Sequence, residues 1–306
     1  MIQGRTREME NHRKGKQDME WIRKKGRENL DIKEKNGVVW LEFTALSETN
    51  MVHHGFSTRL GGVSEGEFAS MNFTFTRGDN PEHVMENYRR IADVLEVDVS
   101  RMVLSWQTHT TNIRVVTEMD AGKGIVRERD YQDIDGLVTN VPGITLVTFY
   151  ADCVPLYLLD PVHDAVGLSH SGWRGTVNRM GKKTLDAMAK EYGTKAKDVI
   201  ACIGPSICRD CFEVGEEVAD AFGKAFGEAD PTQLYYRKDN GKYQLDLWRA
   251  NELIFEEAGV PAANIHTTDI CTRCNPELLF SHRAVGPKRG NLAAFLCLAE
   301  REGDRK

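Results

Sequence analysis

The sequence predicts a single α/β domain, and three features of the chain lead to that prediction. Short runs rich in β-branched and aromatic residues alternate with longer segments of helical periodicity. No internal repeat and no low-complexity linker divides residues 37–300. The composition, 41% hydrophobic and 28% charged with 9 Pro against 27 Gly, is that of a globular chain with enough apolar residues for a core.

The first elements are a strand, a loop and a helix. Residues 37–46 (GVVWLEFTAL) have the β-branched and aromatic pattern of a strand, and the Gly, Ser and Thr residues of 53–66 are typical of a loop. A helix is expected over 80–97, where Asn80 can serve as N-cap and Pro81 takes the first helical position. Apolar residues recur along it at Val84, Tyr88, Ile91 and Leu95, so one face should be buried.

The rest of the chain continues this alternation of apolar strands and amphipathic helices. Strands are expected within 101–119 and at 135–140, 142–161 and 165–173, the last three as buried strands. Helices are expected at 176–193, 213–226 and 245–259, and two closing strands at 264–271 and 290–300.

Charge divides the chain into a short basic head and a long acidic body. Residues 1–36 contain 11 Lys/Arg against 7 Asp/Glu, a balance of +4, whereas residues 37–306 contain 29 against 39, a balance of −10. We expect 1–36 to be a charged, solvated extension and 37–300 to be the folded domain. A nucleic-acid-binding arm, the alternative for the head, would normally be more purely basic.

Three classes of protein are excluded by these patterns. The longest apolar run, 143–159, is interrupted by Asp152 and falls short of the roughly 18 residues of a membrane helix. The acidic body argues against a nucleic-acid partner, because such a face needs concentrated positive charge. The head has no apolar signal-peptide core, so a cytoplasmic location is expected.

Seven cysteines in a chain without a secretion signal are expected to be mostly reduced thiols. Four of them form two CxxC pairs, Cys208–Cys211 and Cys271–Cys274. Two such pairs can close a tetrahedral zinc site, but the interval between them is far longer than in zinc ribbons. Redox thiols and unrelated buried thiols therefore remain open as alternatives.

Polar residues at the ends of apolar strands indicate where a site is built. His109 closes one expected strand, Cys153 interrupts another and His170 follows a third. Two imidazoles and a thiolate would leave one tetrahedral position open, as a catalytic zinc site requires. The spacing alone equally permits a Cys/His nucleophile pair or ordinary buried residues.

Two segments have the composition of an anion site. Ser57, Arg59, Gly61 and Gly62 offer a hydroxyl, a guanidinium and approachable backbone N–H groups, and Arg174 lies at an expected helix start. The alternative is that the arginine closes a surface ion pair and the glycines only turn the chain.

Taken together, the motifs resemble one family from residue 37 to about residue 298. The chain resembles the laccase-domain (YfiH/YlmD-type) proteins, once labelled polyphenol oxidases and now regarded as purine nucleoside phosphorylases with adenosine deaminase activity. The matching motifs, in chain order, are GFSTRLGGVS (55–64), SMNF (70–73), ENYRRIAD (86–93), QTHT (107–110), DGLVTN (135–140), ADCVPLYLLDP (151–161), HSGWRGTV (170–177), IGPSI (203–207), FEVGEEV (212–218), LDL (245–247) and CTRCNPELLFSHR (271–283). The SHR at 281–283 departs from the tyrosine-arginine pair frequent in the family.

The resemblance implies a fold, a metal and a ligand set. The fold is a single α/β domain whose β-sheet layers are sandwiched between helices, similar to cysteine hydrolases. The metal is zinc, or copper in some members, and its ligands map to His109, Cys153 and His170. Inorganic phosphate is the implied co-substrate. The residues carried over as phosphate or substrate contacts are Arg59, Arg174, Ser57, Gly61, Gly62, Asn72 and His54.

The implied activity is phosphorolysis of adenosine, inosine and 5′-methylthioadenosine to free base and ribose 1-phosphate, with deamination of adenosine. Asp135 and Asp152 are the candidate catalytic carboxylates, to hold a ribose hydroxyl or the base, or to shuttle a proton. The alternatives are a Cys153/His170 thiol hydrolase and a hydrolase that proofreads peptidoglycan precursors. Laccase chemistry is excluded by counting, since about ten imidazoles are needed, mostly in H-x-H pairs, and this chain has 9 His and no H-x-H.

Overall fold

Within the residues that the computed structural model describes, 20–24, 29–227 and 231–300, the strands form two six-stranded sheets and one three-stranded sheet. The strands are β1 (Leu30–Lys35), β2 (Val38–Phe43), β3 (Val52–Ser57), β4 (Met102–Leu104), β5 (Ile113–Val115), β6 (Gly136–Thr139), β7 (Thr145–Tyr150), β8 (Val154–Asp160), β9 (Ala165–Ser171), β10 (Ile200–Ile203), β11 (Glu213–Val214), β12 (Tyr235–Arg237), β13 (Tyr243–Leu245), β14 (Ile265–Thr267) and β15 (Leu292–Leu298). The helices are α1 (Thr44–Ser47), α2 (Pro81–Leu95), α3 (Trp173–Val177), α4 (Met180–Tyr192), α5 (Glu216–Ala225), α6 (Pro231–Leu234), α7 (Leu247–Glu257) and α8 (His282–Val285).

Both large sheets are mostly antiparallel. The first has the order β1-β2-β3-β15-β7-β4, with β4 and β7 parallel. The second has the order β14-β10-β8-β9-β6-β5, with parallel pairs β10–β14 and β5–β6. The small sheet, β11-β13-β12, is antiparallel.

The two large sheets face each other across the main core. Phe56 and Leu296 of the first sheet pack in one cluster with Tyr157 and Leu168 of the second. Strands β8 and β9 are buried along their whole length, which explains why they read as nearly continuous apolar runs.

Helices cover the outer face of each sheet. Tyr88 of α2 packs with Trp40 and Phe295 on the first sheet, and Phe255 of α7 packs with Leu156 on the second. Sheet layers therefore lie between helical layers, and the expected fold class is confirmed. Among the described residues, no helix is long and apolar enough to cross a membrane.

Helix α2 begins as its sequence predicts. The Asn80 side chain accepts a hydrogen bond from the Glu82 backbone N–H at 2.9 Å, and Pro81 is the first helical residue. This cap satisfies one of the N–H groups that a helix start leaves without a partner.

Four expectations about elements need correction. The strand expected over 142–161 is two strands, β7 and β8, which lie in different sheets. Residues 53–57 of the expected loop belong to β3, whose polar His54 and Ser57 look loop-like but make buried hydrogen bonds with Phe43 and Ala293 of neighbouring strands. The helix expected over 176–193 is two helices, α3 and α4, because Arg179 adopts a left-handed conformation between them. The segment 213–226 begins with β11, and only its second part is helical.

The boundary expected at residue 36 also moves. Residues 30–35 form β1, which pairs with β2 along its full length, so part of the expected extension belongs to the first sheet. Residues 20–24 contact the body as well, with Lys24 N–H donating to Asp269 O at 2.8 Å. The remainder of the expected extension, 1–19 and 25–28, lies outside the described residues.

Candidate metal centre

His109, Cys153 and His170 come together at one end of the sheet sandwich. Their ligand atoms all lie within 4.8 Å of one another. Cys153 Sγ is 4.0 Å from His109 Nε2, and the two imidazoles meet edge to face with ring centroids 5.0 Å apart. Residues separated by long stretches of sequence thus form one compact donor set.

The crossing of the chain between the sheets creates this cluster. Strand β7 lies in the first sheet and β8 in the second, so Cys153 sits on the link that joins the two layers. His170 lies near the end of β9, paired with Pro155 of β8. His109 comes from the loop after β4, an edge strand of the first sheet.

A buried carboxylate, Asp135, holds two of the three ligands in place. It accepts hydrogen bonds from the backbone N–H groups of Thr108, His109 and Thr110 at 3.0, 3.1 and 3.0 Å. Its Oδ1 also lies 2.8 Å from His170 Nδ1. Nδ1 is therefore the protonated nitrogen of His170, which leaves Nε2 free to bind a metal.

Gln107 anchors the same loop to β7. Its side-chain oxygen accepts from Phe149 N–H at 2.6 Å, and its side-chain amide donates to Phe149 O at 2.8 Å. The Gln107 side chain thus pairs with β7 in the same way as the backbone of an adjacent strand. His109 itself has φ 65°, a left-handed conformation that costs a non-glycine residue free energy. The converging hydrogen bonds on Asp135 offset that cost.

The titration behaviour of the cluster follows from these contacts. Burial by itself would raise the pKa of the Cys153 thiol, but the imidazoles of His170 and His109 lower it to about 6. Burial would lower the pKa of His170, but Cys153 and Asp135 raise it to about 9. Burial would raise the pKa of Asp135, but several contacts, of which the hydrogen bond with His170 is the strongest, lower it below its usual value. The site thus favours a thiolate.

This donor set fits a zinc ion. With Zn–N and Zn–S bonds of about 2.0 and 2.3 Å, tetrahedral ligands of these types lie about 3.5 Å apart, close to the 4.0 Å between Cys153 and His109. A carboxylate behind a ligating histidine is also a usual feature of zinc sites. One coordination position would stay open toward the cavity described below.

Gly172 allows the ligands to approach each other. A Cβ atom at this position would lie 3.0 Å from Cys153 Sγ and 3.1 Å from His109 Cδ2. The backbone itself, with φ −72°, suits any residue, so the glycine is required only by the space that the ligands occupy.

We therefore expect Gly172→Ala to lower zinc affinity by about ten- to hundredfold, as displacement of supporting groups does at other zinc sites. Gly175→Ala is the matched control, because its Cβ would come no nearer than 3.4 Å to another atom. Zinc affinity is measured by competition with a chromogenic chelator. Equal affinities in the two variants would refute this role of Gly172.

A cavity of about 650 Å³ opens beside the three ligands. This volume lies in the range of small-molecule sites. Its walls include five aromatic side chains, which are Phe73, Phe75, Trp106, Phe149 and Tyr150.

Three arginines line the same cavity, namely Arg77, Arg129 and Arg289. Arg289 is only 7% exposed, and its Nε has no hydrogen-bond partner. Burial, with Arg77 close by, lowers its pKa to about 10, so the guanidinium remains charged near neutral pH. Among the described residues, no carboxylate forms an ion pair with any of the three. A buried, uncompensated cation in a cavity wall points to an anionic ligand.

The residues expected to bind phosphate are used elsewhere. Arg59 donates to Ala69 O and Pro276 O, each at 2.9 Å, and lies against the Phe280 ring, outside the cavity lining. A Cβ at Gly61 or Gly62 would meet backbone oxygens at 2.2 and 2.1 Å, so these glycines serve close packing of the chain. Arg59, Gly61 and Gly62 therefore lie outside the lining of this cavity.

The remaining expected contacts also lie outside the cavity lining. His54 is buried, and burial lowers its pKa to about 3, so it is a neutral acceptor within the sandwich. Ser57 is likewise buried. Asn72 accepts a hydrogen bond from Asn291 N–H at 2.9 Å, so it contacts a residue that lines the cavity but does not line the cavity itself. Arg174 is exposed and lies over the Trp173 ring.

Both expected catalytic carboxylates have protein partners. Asp152 accepts from Thr272 Oγ1 at 2.7 Å and from Arg283 N–H at 2.6 Å, and its backbone is left-handed with φ 89°. Asp135 is occupied by the ligand loop and His170. Neither is in the cavity lining among the described residues. Both carboxylates lie beside the ligands and can position them, and their expected catalytic role stays a prediction.

The cavity arginines were not identified from the sequence. Arg289 directly precedes the strand expected at 290–300, and its charge at the start of an apolar strand was a signal that could have indicated it. Arg77 ends a short 3₁₀ helix and Arg129 lies in an irregular segment, and neither has a distinguishing sequence pattern.

Comparison with known proteins identifies the family of this chain. The sequence profile of the family described as "Multi-copper polyphenol oxidoreductase laccase" matches residues 53–299. A purine nucleoside phosphorylase of Bacteroides thetaiotaomicron is 38% identical over 259 residues, 84% of this chain and 96% of that protein. The adenosine deaminase RL5, from an unknown prokaryotic organism, is 37% identical over 237 residues, 77% of this chain and 90% of that protein.

A solved structure extends the likeness to the fold. YlmD from Geobacillus stearothermophilus superposes with a TM-score of 0.82 at 33% identity, covering 89% of this chain and 99% of that one. The family resemblance seen in the motifs is confirmed, and the chain belongs to the laccase-domain family, the "Multi-copper polyphenol oxidoreductase laccase" family of proteins.

Proposed function

We propose that this protein is a zinc-dependent purine nucleoside phosphorylase that also deaminates adenosine. Its substrates are adenosine, inosine and 5′-methylthioadenosine, and its phosphorolysis products are the free base and a ribose 1-phosphate. The observation that carries the proposal is a three-ligand metal centre opening into an aromatic cavity whose wall holds uncompensated arginines. The similar proteins named for these two activities support it.

The arginines meet the first requirement of phosphorolysis. A phosphate oxygen must attack C1′ of the ribose while the bond from C1′ to the base nitrogen breaks and the base leaves with a proton. Arg289 and Arg77 can hold the phosphate dianion by charge-assisted hydrogen bonds. Arg289 Nη1 donates to Gly290 O at 3.0 Å and to Asn291 Oδ1, so the guanidinium is already oriented, and its buried Nε is left without a protein partner.

The aromatic side chains meet the second requirement, a place for the purine. Phe75, Trp106 and Phe149 line the cavity together with His109. Flat apolar rings offer stacking surfaces for a purine, and such stacking contributes about 1–3 kcal/mol per base in other proteins.

Deamination uses water in place of phosphate. Water adds to C6 of adenosine, and ammonia leaves to give inosine. His109, Cys153 and His170 would hold the zinc ion, which would supply Lewis acidity and a lowered pKa for the attacking water. Asp135 keeps His170 oriented for this role, through the contact to Nδ1.

Product analysis tests the proposal. Zinc-loaded protein is incubated with adenosine, with and without phosphate, and the products are separated by chromatography. We expect inosine in both samples, and adenine with ribose 1-phosphate only when phosphate is present. No base and no inosine above a buffer control would refute the proposed enzyme.

Replacing Arg289 should separate the two reactions. Loss of charge-assisted hydrogen bonds of about 1.5–3 kcal/mol in Arg289→Met should raise the KM for phosphate about ten- to hundredfold. Deamination without phosphate should change little. Arg89→Met, an exposed arginine of α2, is the control. An unchanged KM for phosphate in Arg289→Met would exclude this residue from the phosphate site.

One alternative keeps a structural basis. The imidazoles that would bind a metal also favour the Cys153 thiolate, which a thiol hydrolase would use as nucleophile. A chelator distinguishes the two, because it would abolish the zinc enzyme and leave a thiol hydrolase active. A proofreading hydrolase for peptidoglycan precursors would be identified by release of amino acids from such precursors.

A further inference from the structure

Four cysteines outside the candidate metal centre converge in space. The sulfur atoms of Cys208, Cys211, Cys271 and Cys274 all lie within 4.8 Å of one another. The two CxxC segments are distant in the sequence, and a parallel bridge between Ser206 and Cys271 brings them side by side. The two pairs are therefore adjacent in space, although the interval between them in the sequence is longer than in a zinc ribbon.

The sulfur geometry suits a shared metal ion better than disulfides. Cys211 Sγ and Cys274 Sγ are 3.5 Å apart, whereas a disulfide bond is about 2.05 Å long. Zinc bound by four thiolates at about 2.3 Å places neighbouring sulfurs about 3.8 Å apart. Cys208 N–H donates to Cys271 Sγ at 3.2 Å, and a thiolate is the better acceptor for such a bond.

Cationic groups surround the four sulfurs. Lys24, from the short segment 20–24, pairs with Asp210 at 2.8 Å between the first two cysteines. Arg273 lies between the other two cysteines. Four thiolates and one Zn²⁺ carry a net charge of −2 and Asp210 adds another negative charge, so Lys24 and Arg273 would reduce the total to −1.

We propose that Cys208, Cys211, Cys271 and Cys274 bind a second zinc ion, separate from the one at His109, Cys153 and His170. Four protein sulfurs complete a tetrahedron and leave no position for water or substrate. This second zinc is therefore structural.

Its position links it to the catalytic ligands. Thr272, inside the second CxxC segment, donates to Asp152 Oδ1 at 2.7 Å, and Ile207, just before the first segment, donates its N–H to Asp152 O at 3.0 Å. Asp152 precedes the ligand Cys153. A zinc ion bound by both segments would fix the positions of Thr272 and Ile207, the two residues that donate hydrogen bonds to Asp152.

Segment 20–24 is fixed to the same region. Arg23 pairs with Asp269 at 2.5 Å, and Ile22 N–H donates to Asn275 Oδ1 at 2.8 Å. The second zinc thus stabilises a corner where three separate parts of the chain meet.

Metal analysis of the whole chain tests this proposal without reference to nucleosides. We expect one zinc ion per cluster, and so two per chain, in the wild-type protein. Cys153→Ala should keep one zinc, and Cys274→Ser should lose the other, with a lower unfolding temperature. Cys297→Ala, a buried cysteine of β15 outside both clusters, should keep both ions. Cobalt bound to Cys153→Ala should give the intense sulfur-to-metal absorption of a four-thiolate tetrahedral site.

Three results would overturn the proposal. They are a wild-type protein with a single zinc that disappears in Cys153→Ala, iron in place of zinc, and disulfides among these four cysteines in the protein as purified. The wild-type and Cys153→Ala measurements decide the question even if Cys274→Ser does not fold. Loss of nucleoside turnover has no bearing on these counts, so a failure of the proposed activity would be recognised separately.

Discussion

Cys153→Ala is expected to lose the zinc of the catalytic site and to release purine base at least about a thousandfold more slowly than the wild-type protein. The thiolate is one of three protein ligands, and two imidazoles alone hold zinc weakly. Metal catalysis contributes several kcal/mol of transition-state stabilisation, and each step of about 1.4 kcal/mol is tenfold in rate. The measurements are zinc content and the rate of hypoxanthine release from inosine with phosphate.

Cys297→Ala is the control for removal of a buried thiol, since Cys297 lies on β15 away from both metal clusters. It should retain the wild-type rate. If Cys153→Ala kept full activity, Cys153 could be neither the zinc ligand nor a nucleophile. Loss of activity with zinc fully retained would favour the thiol hydrolase.

Asp135→Asn is expected to lower zinc affinity by about ten- to hundredfold, with a parallel fall in turnover at limiting zinc. An asparagine side chain has a single acceptor oxygen. Its NH₂ group would face backbone N–H groups that donate to the second carboxylate oxygen in the wild type, so donors would oppose donors. The loop that carries His109 should loosen, and His170 should lose the partner that fixes its tautomer. Zinc affinity and the unfolding temperature are both measured.

Asp133→Asn is the matched control for this carboxylate. Asp133 is exposed and lies two residues away from Asp135. Among the described residues it accepts hydrogen bonds from the side chains of Thr108, Thr110 and Asn112, so the zinc affinity of Asp133→Asn should equal that of the wild type. A role for Asp135 in holding the ligands would be contradicted if both variants bound zinc as tightly as the wild type. Excess zinc should restore turnover in Asp135→Asn if Asp135 acts by positioning the ligands. If Asp135 instead transferred a proton to the substrate, excess zinc would not restore turnover.

The layers of the fold could be predicted because the strands and helices that form them are indicated by patterns within short stretches of sequence. Apolar strands and the capped, amphipathic α2 are visible in short stretches of sequence, and the family motifs supplied the sandwich. Strand β3 could not be predicted, because His54 and Ser57 look like loop residues until their buried partners on β2 and β15 are known. The start of the folded chain was obscured in the same way by the charges of β1.

The site was predictable only in part, for a similar reason. Strand ends located His109, Cys153 and His170, since ligands at such positions interrupt apolar runs. Arg59, close to Ser57, was more prominent in the sequence than Arg289, yet whether a guanidinium faces a cavity or a carbonyl depends on packing between distant segments. The two CxxC pairs illustrate the same limit, because their spacing concealed their proximity.

Zinc titration of metal-free protein is the measurement that tests the central claim most directly. Catalytic zinc is removed with a chelator and returned in known amounts, and hypoxanthine release from inosine is followed in phosphate buffer. We predict no release without metal, and a rate that rises in proportion to the zinc bound at His109, Cys153 and His170 until that site is full. Full activity in protein shown to be free of metal would contradict the account.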